Sequence, residues 1–115
     1  MTTMKPDNSN NPDRIKVKVK RGLISIDQEP VYVWDGAATI TWDLQTPGYR
    51  FAADSISIQG DNGRVFTQAS WDATTQVWNN ANPDQVNFKY TINVISTSGK
   101  SNPPPLDPTI GNQGR

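Results

Sequence analysis

The chain has 115 residues with eleven basic and eleven acidic side chains, so it is the size of one domain and lacks the net field that draws nucleic acid or an anionic membrane. It contains no histidine and no cysteine, which excludes Ser-His-Asp and Cys-His catalysis, disulfides and the commonest transition-metal ligands. Hydrophobic residues are 34% of the chain, but four Trp, three Tyr and three Phe bury large areas per side chain, enough for a modest core.

Residues 1–13 are polar and rich in Pro, Asn and Asp, a composition that buries too little surface to offset chain entropy and predicts a disordered N-terminal arm. No apolar stretch follows Met1, so no signal peptide is expected and the cytoplasm is the default location. From Arg14 the pattern changes: Ile15, Val17 and Val19 alternate with Lys16, Lys18 and Lys20, the period of a half-buried strand. Arg14, the three lysines and Arg21 gather five of the eleven basic residues. The expected role is the solvent face of an edge strand, where charge discourages edge-to-edge pairing; nucleic acid would call for interleaved aromatics, and there are none. Leu23, Ile26, Val31 and Val33 continue the β-rich composition through Glu29-Pro30, where the missing proline N–H predicts an edge position or a crossing between sheets.

Asp35-Gly36 is a turn, and Ile40, Trp42 and Leu44 follow on one core-facing side of a strand. Thr46-Pro47-Gly48 is the next turn. Ile56 and Ile58 lead into Gly60-Asp61-Asn62-Gly63, read as a tight hairpin with Val65 to Ala69 returning. The same Asp61-Asn62-Gly63 lacks the ligand spacing of a calcium loop. Trp71, Val77 and Trp78 flank the polar turn Asp72 to Thr75, and Val86, Phe88, Tyr90, Ile92 and Val94 predict the longest core-facing alternation. Pro103-Pro104-Pro105 stiffens the chain before Asp107-Pro108-Thr109-Ile110, expected to form a final edge strand.

Short strands between regularly spaced turns predict an all-β fold, an immunoglobulin-like sandwich of about seven strands, with a small partly open barrel as the alternative. The domain is expected over residues 14–112, with 113–115 as a C-terminal tail. Trp42 belongs to the core, with apolar packing against Phe88 and Tyr90 in place of an inter-sheet disulfide.

With His and Cys absent, carboxylates are the only serious catalysts, and Glu29 is the sole Glu. Asp35, Asp43, Asp54, Asp61 and Asp72 lie beside turns and strand ends, where Asp closes loops, and no insertion builds a cleft for a glycosidase-type pair. No catalytic residue, metal ligand or cofactor is assigned. Flat indole faces stack on sugar rings, so Trp71 and Trp78, beside Asp72 and Asn79, form the candidate ligand-binding set wherever they are not spent on core volume; Trp34 is assigned to neither role.

Gln28-Glu29-Pro30-Val31-Tyr32-Val33, Thr39-Ile40-Thr41-Trp42, Tyr90-Thr91-Ile92-Asn93-Val94 and Leu106-Asp107-Pro108-Thr109-Ile110-Gly111-Asn112 together resemble the DP-EP family, small bacterial proteins labelled by such Asp-Pro and Glu-Pro steps. The resemblance spans about Arg14 to Asn112 and implies a bacterial source and a compact β domain, with no activity attached. Physically, Glu29-Pro30 and Asp107-Pro108 read as strand-entry points; if close in space, they would also shape a rim at one end of the sandwich. The resulting expectation is a non-enzymatic binding or assembly module whose partner is another protein or a second copy of the chain, with a carbohydrate-binding module using exposed Trp residues and a carboxylate-dependent hydrolase as alternatives, and with neither nucleic acid nor membrane as partner.

Overall fold

Alternation of apolar and polar residues builds the clearest strands, Ile15–Lys20, Val31–Val33 and Ala38–Leu44. The computed structural model describes residues 10–61 and 63–115. Most of the expected disordered arm, residues 1–9, therefore lies outside the described residues. These contain eleven strands and no helix: β1 (Ile15–Lys20), β2 (Leu23–Ile26), β3 (Val31–Val33), β4 (Ala38–Leu44), β5 (Tyr49–Arg50), β6 (Ile56–Ile58), β7 (Phe66–Trp71), β8 (Thr75–Asn80), β9 (Gln85–Ile92), β10 (Ile95–Ser96) and β11 (Thr109–Gln113). One sheet has the order β2-β1-β4-β8-β7 and a second the order β3-β11-β9-β6, with β10-β5 as a small third pair. The fold is an all-β sandwich, and no sheet closes into a barrel.

The inner faces follow the period of two. Ile15 and Val17 of β1, Ala38, Ile40, Trp42 and Leu44 of β4, and Tyr90 and Ile92 of β9 are all buried. Each fully buried large apolar side chain contributes roughly 1.5–3 kcal/mol over an exposed one. Three cross-sheet contacts fix how the layers meet. Trp42 meets Tyr90 with ring centroids 5.2 Å apart, Phe66 meets Phe88 edge-on at 5.0 Å, and the side-chain amides of Asn80 and Asn112 bond each other reciprocally at 2.8 and 3.1 Å. The expected apolar packing between the layers therefore includes polar contacts.

Four expectations change at the level of strand neighbours. β1 is not an edge strand: β2 pairs with it antiparallel on one side and β4 parallel on the other, so Lys16, Lys18 and Lys20 project from the outer face of an interior strand. β11 is likewise interior, because β3 joins it in parallel outside β9. Gly60 to Gly63 does not close a hairpin, since β6 pairs with β9 and β7 with β8 in the other sheet. The buried Asp61 carboxylate accepts the N–H groups of Val65 and Phe66 at 2.7 and 2.9 Å and steers that crossing. Val86, expected in the core, is 39% exposed: β6 reaches only to Tyr90 along β9, which leaves the start of β9 at the rim.

Both ends of the expected domain also extend. The Asn10 amide donates to the carbonyls of Trp34, Asp35 and Gly36, and Asn11 accepts the Thr39 N–H, so this part of the arm docks through side-chain amides and not through apolar burial. Gln113 belongs to β11, and the following Gly114 is buried, with the side chain of Asn82 accepting its N–H at 2.9 Å. Glu29-Pro30 does mark a crossing between sheets, from β2 to β3, and its peptide bond is cis.

Candidate functional site

The four residues singled out by sequence do not converge. Trp71 ends β7 opposite Gln76, on the inner face of the five-stranded sheet, and is 46% exposed at that sheet's edge. Trp78 pairs with Gln68 on the same face but packs against the core, and its indole N–H is spent on the Gln76 carbonyl at 3.0 Å. Gln76 is fully buried because its polar atoms are partnered: its amide donates to Ala52 O at 2.7 Å, and its carbonyl also accepts from Gln68 at 2.8 Å. Asn79 alternates onto the opposite, outer face, beside Thr39 and Thr67. Asp72 is used by the β7–β8 turn, where its carboxylate accepts the Thr74 N–H; that bond holds its carboxyl below the ordinary aspartate value.

A different aromatic pair stands in the open. In Val31-Tyr32-Val33-Trp34 the two valines face the core, which turns Tyr32 and Trp34 outward, 50% and 57% exposed. Their ring centroids lie 6.2 Å apart with a tilt of 41°. Tyr32 pairs with Gly111 in the adjacent strand, and a Cβ at Gly111 would stand 2.8 Å from Tyr32 Cδ1 and 2.9 Å from Cε1. The ring therefore lies over bare backbone, which only glycine permits.

Trp34 is held from below. Asp35 and Gly36 adopt φ of 62° and 91°, turning the chain immediately after the indole. Asn10 clamps that turn by donating to the carbonyls of Trp34, Asp35 and Gly36 at 2.8, 3.0 and 3.2 Å. Beside the two rings runs a cleft of about 430 Å³ whose walls include Asn11, Asp13, Gln28 and Pro30. Gln28 donates to the Asp13 carbonyl at 2.8 Å and ties the walls together. No Lys or Arg lines this cleft, and Asp13 and Asp35 do, so the site repels anions and admits neutral polar or cationic ligands. The alternation that exposes Tyr32 and Trp34 is present in the sequence; the bonds that organise the cleft join residues 15 to 26 positions apart.

Glu29 and Asp107 are bound into the fold. Glu29 Oε1 accepts the Thr109 N–H at 2.9 Å, and Asp107 accepts the Thr91 hydroxyl at 2.8 Å, so the Glu-Pro and Asp-Pro steps do lie together across the start of β11. Among the described residues no three His, Cys, Asp or Glu side chains are grouped to hold a metal ion, and no helix is long and apolar enough to cross a membrane. The chain matches no protein-family model and no curated protein.

Proposed function

We propose that the domain is a non-enzymatic carbohydrate-binding module that stacks the rings of a neutral glycan on Tyr32 and Trp34. The exposed, tilted aromatic pair carries the reading: two flat rings presented side by side, on an edge strand and at its exit, offer apolar faces to the C–H faces of consecutive sugars. Side-chain amides and carboxylates at the rim of the cleft supply hydrogen bonds to hydroxyls. The absence of cations from the lining favours neutral over acidic glycans.

Self-association through a sheet edge has less support. The β7 ladder breaks at a bulge between Gln68 and Ser70, and β3 and β6 are three residues each, features that blunt edges. The immunoglobulin-like reading of the sandwich, and the DP-EP resemblance with its bacterial source, belong to the same proposal; the second rests on Glu29-Pro30 and Asp107-Pro108 themselves.

Titrating soluble cello-, xylo-, manno- and chito-hexaoses while following tryptophan fluorescence tests the proposal. At least one series should give a saturable change that Trp34→Ala and Tyr32→Ala each weaken by roughly fivefold, from about 1 kcal/mol per stacked ring. Trp71→Ala should leave that affinity unchanged. A panel without any response, or an affinity that depends on Trp71 and not on Trp34, defeats it.

A further inference from the structure

A second cleft, of about 460 Å³, has the opposite chemistry. Arg21 and Lys100 both line it, with Thr46, Tyr49 and Ser101, and no carboxylate does. Two cationic residues border one concavity with no acidic residue in its walls, an arrangement complementary to an anion.

The walls are built and held. β1 and β2 are joined by the two-residue turn Arg21-Gly22, with Lys20 paired to Leu23. Thr46 Oγ1 accepts the Val19 N–H at 2.9 Å and extends the sheet where β4 has ended, which fixes the floor. The wall bearing Lys100 is tied at both ends: Thr97 N–H donates to Gly48 O at 2.9 Å, and the Asn102 side chain accepts the Ser96 N–H at 2.8 Å.

The turn residue itself is an independent indication. Arg21 and Gly22 have φ of 54° and 75°, a geometry whose first position favours Asn, Asp or Gly. An arginine gains nothing locally from this left-handed conformation, which the β1–β2 hairpin imposes, and such outliers cluster at functional sites.

We propose that this cleft binds an oxyanion, a phosphate, sulfate or carboxylate group, between the Arg21 guanidinium and the Lys100 ammonium. Arg21 offers a planar fork of donors, Lys100 a point charge and the Ser101 hydroxyl a further donor, while the Thr46 hydroxyl is engaged by the Val19 backbone. The half-buried Tyr49 ring forms a wall for whatever ring carries the anion. The inference is independent of the Tyr32 and Trp34 reading.

Amide-resolved NMR titration of the full chain tests it with two probes, inorganic phosphate and phenyl phosphate, against sodium chloride at matched ionic strength. Saturable shifts at Gly22, Thr46 and Lys100 that chloride does not reproduce are expected. Phosphate binding as tightly as phenyl phosphate supports a site for the free ion; tighter binding of phenyl phosphate supports an anion carried on a ring against Tyr49. Arg21→Asn removes the cation while suiting the turn, so it should weaken binding at least tenfold without lowering the melting temperature, and Lys100→Gln should weaken it likewise. Shifts that rise linearly and match chloride, or Arg21→Asn and Lys100→Gln chains that bind as the native one does, overturn the proposal.

Discussion

Trp42 Nε1 donates to the Tyr90 hydroxyl at 3.1 Å across the middle of the sandwich, with both side chains fully buried. Each ring fills core volume, and the Tyr90 oxygen gives the indole N–H the acceptor it needs when buried, so the pair becomes a pin between the sheets. Antibody-type sandwiches place a disulfide between their layers; this chain, lacking cysteine, uses an aromatic pair with a hydrogen bond.

Tyr90→Phe keeps the ring and removes the acceptor. The Trp42 N–H is then buried without a partner, which costs about 1–3 kcal/mol. Urea denaturation should show a lower midpoint with an unchanged slope, and an unchanged midpoint would mean that the hydrogen bond contributes nothing.

Burial pushes the Tyr90 phenol above its ordinary value of 10.0, and the bond from Trp42 opposes that only in part. The folded chain therefore keeps this proton after the unfolded chain has lost it. The stability from Tyr90 is complete below about pH 10 and declines as pH rises toward the folded value, by at most about 1.4 kcal/mol per pH unit. Denaturation midpoints between pH 9 and 11 should fall more steeply for the native chain than for Tyr90→Phe.

Asn82 donates to the carbonyls of Val33, Gly36 and Gly114 and accepts the Gly114 N–H, all in a buried setting. Asn82→Ala strands several of these groups at once, at a cost on the order of 3 kcal/mol. Hydrogen exchange should show the Gly114 amide losing protection first, since no other bond is seen to hold it.

Gly111→Ala introduces a methyl where the Tyr32 ring now lies. Tyr32 is half exposed and free to swing outward, so the expected loss of stability is below about 1 kcal/mol. Glycan affinity should fall as far as in Tyr32→Ala. A stable Gly111→Ala chain with native affinity would show that the position of the Tyr32 ring is irrelevant to binding.

Several of these features were legible in the amino-acid order. Alternation assigned Trp42, Tyr90 and Ile92 to the core, and Val31-Tyr32-Val33-Trp34 holds the same signal for the exposed pair. Trp71 and Trp78 show why such a signal is incomplete. Both lie on the inner face, yet one is covered and the other stands at an edge, and coverage depends on where the opposing layer stops.

Sequence alone determined the all-β class, the faces of the main strands and the absence of any histidine or cysteine chemistry, because side-chain period and residue type are local properties. Tertiary structure decided that β1 and β11 are interior, that β6 and β7 lie in different sheets, and that Tyr32 and Trp34 border one cleft while Arg21 and Lys100 border another. Alternation fixes which way a side chain points, but not which strand lies beside it. Strand pairing is settled by contacts between distant segments, such as Asn80 with Asn112 and Glu29 with Thr109, whose energy exists only once the chain has closed.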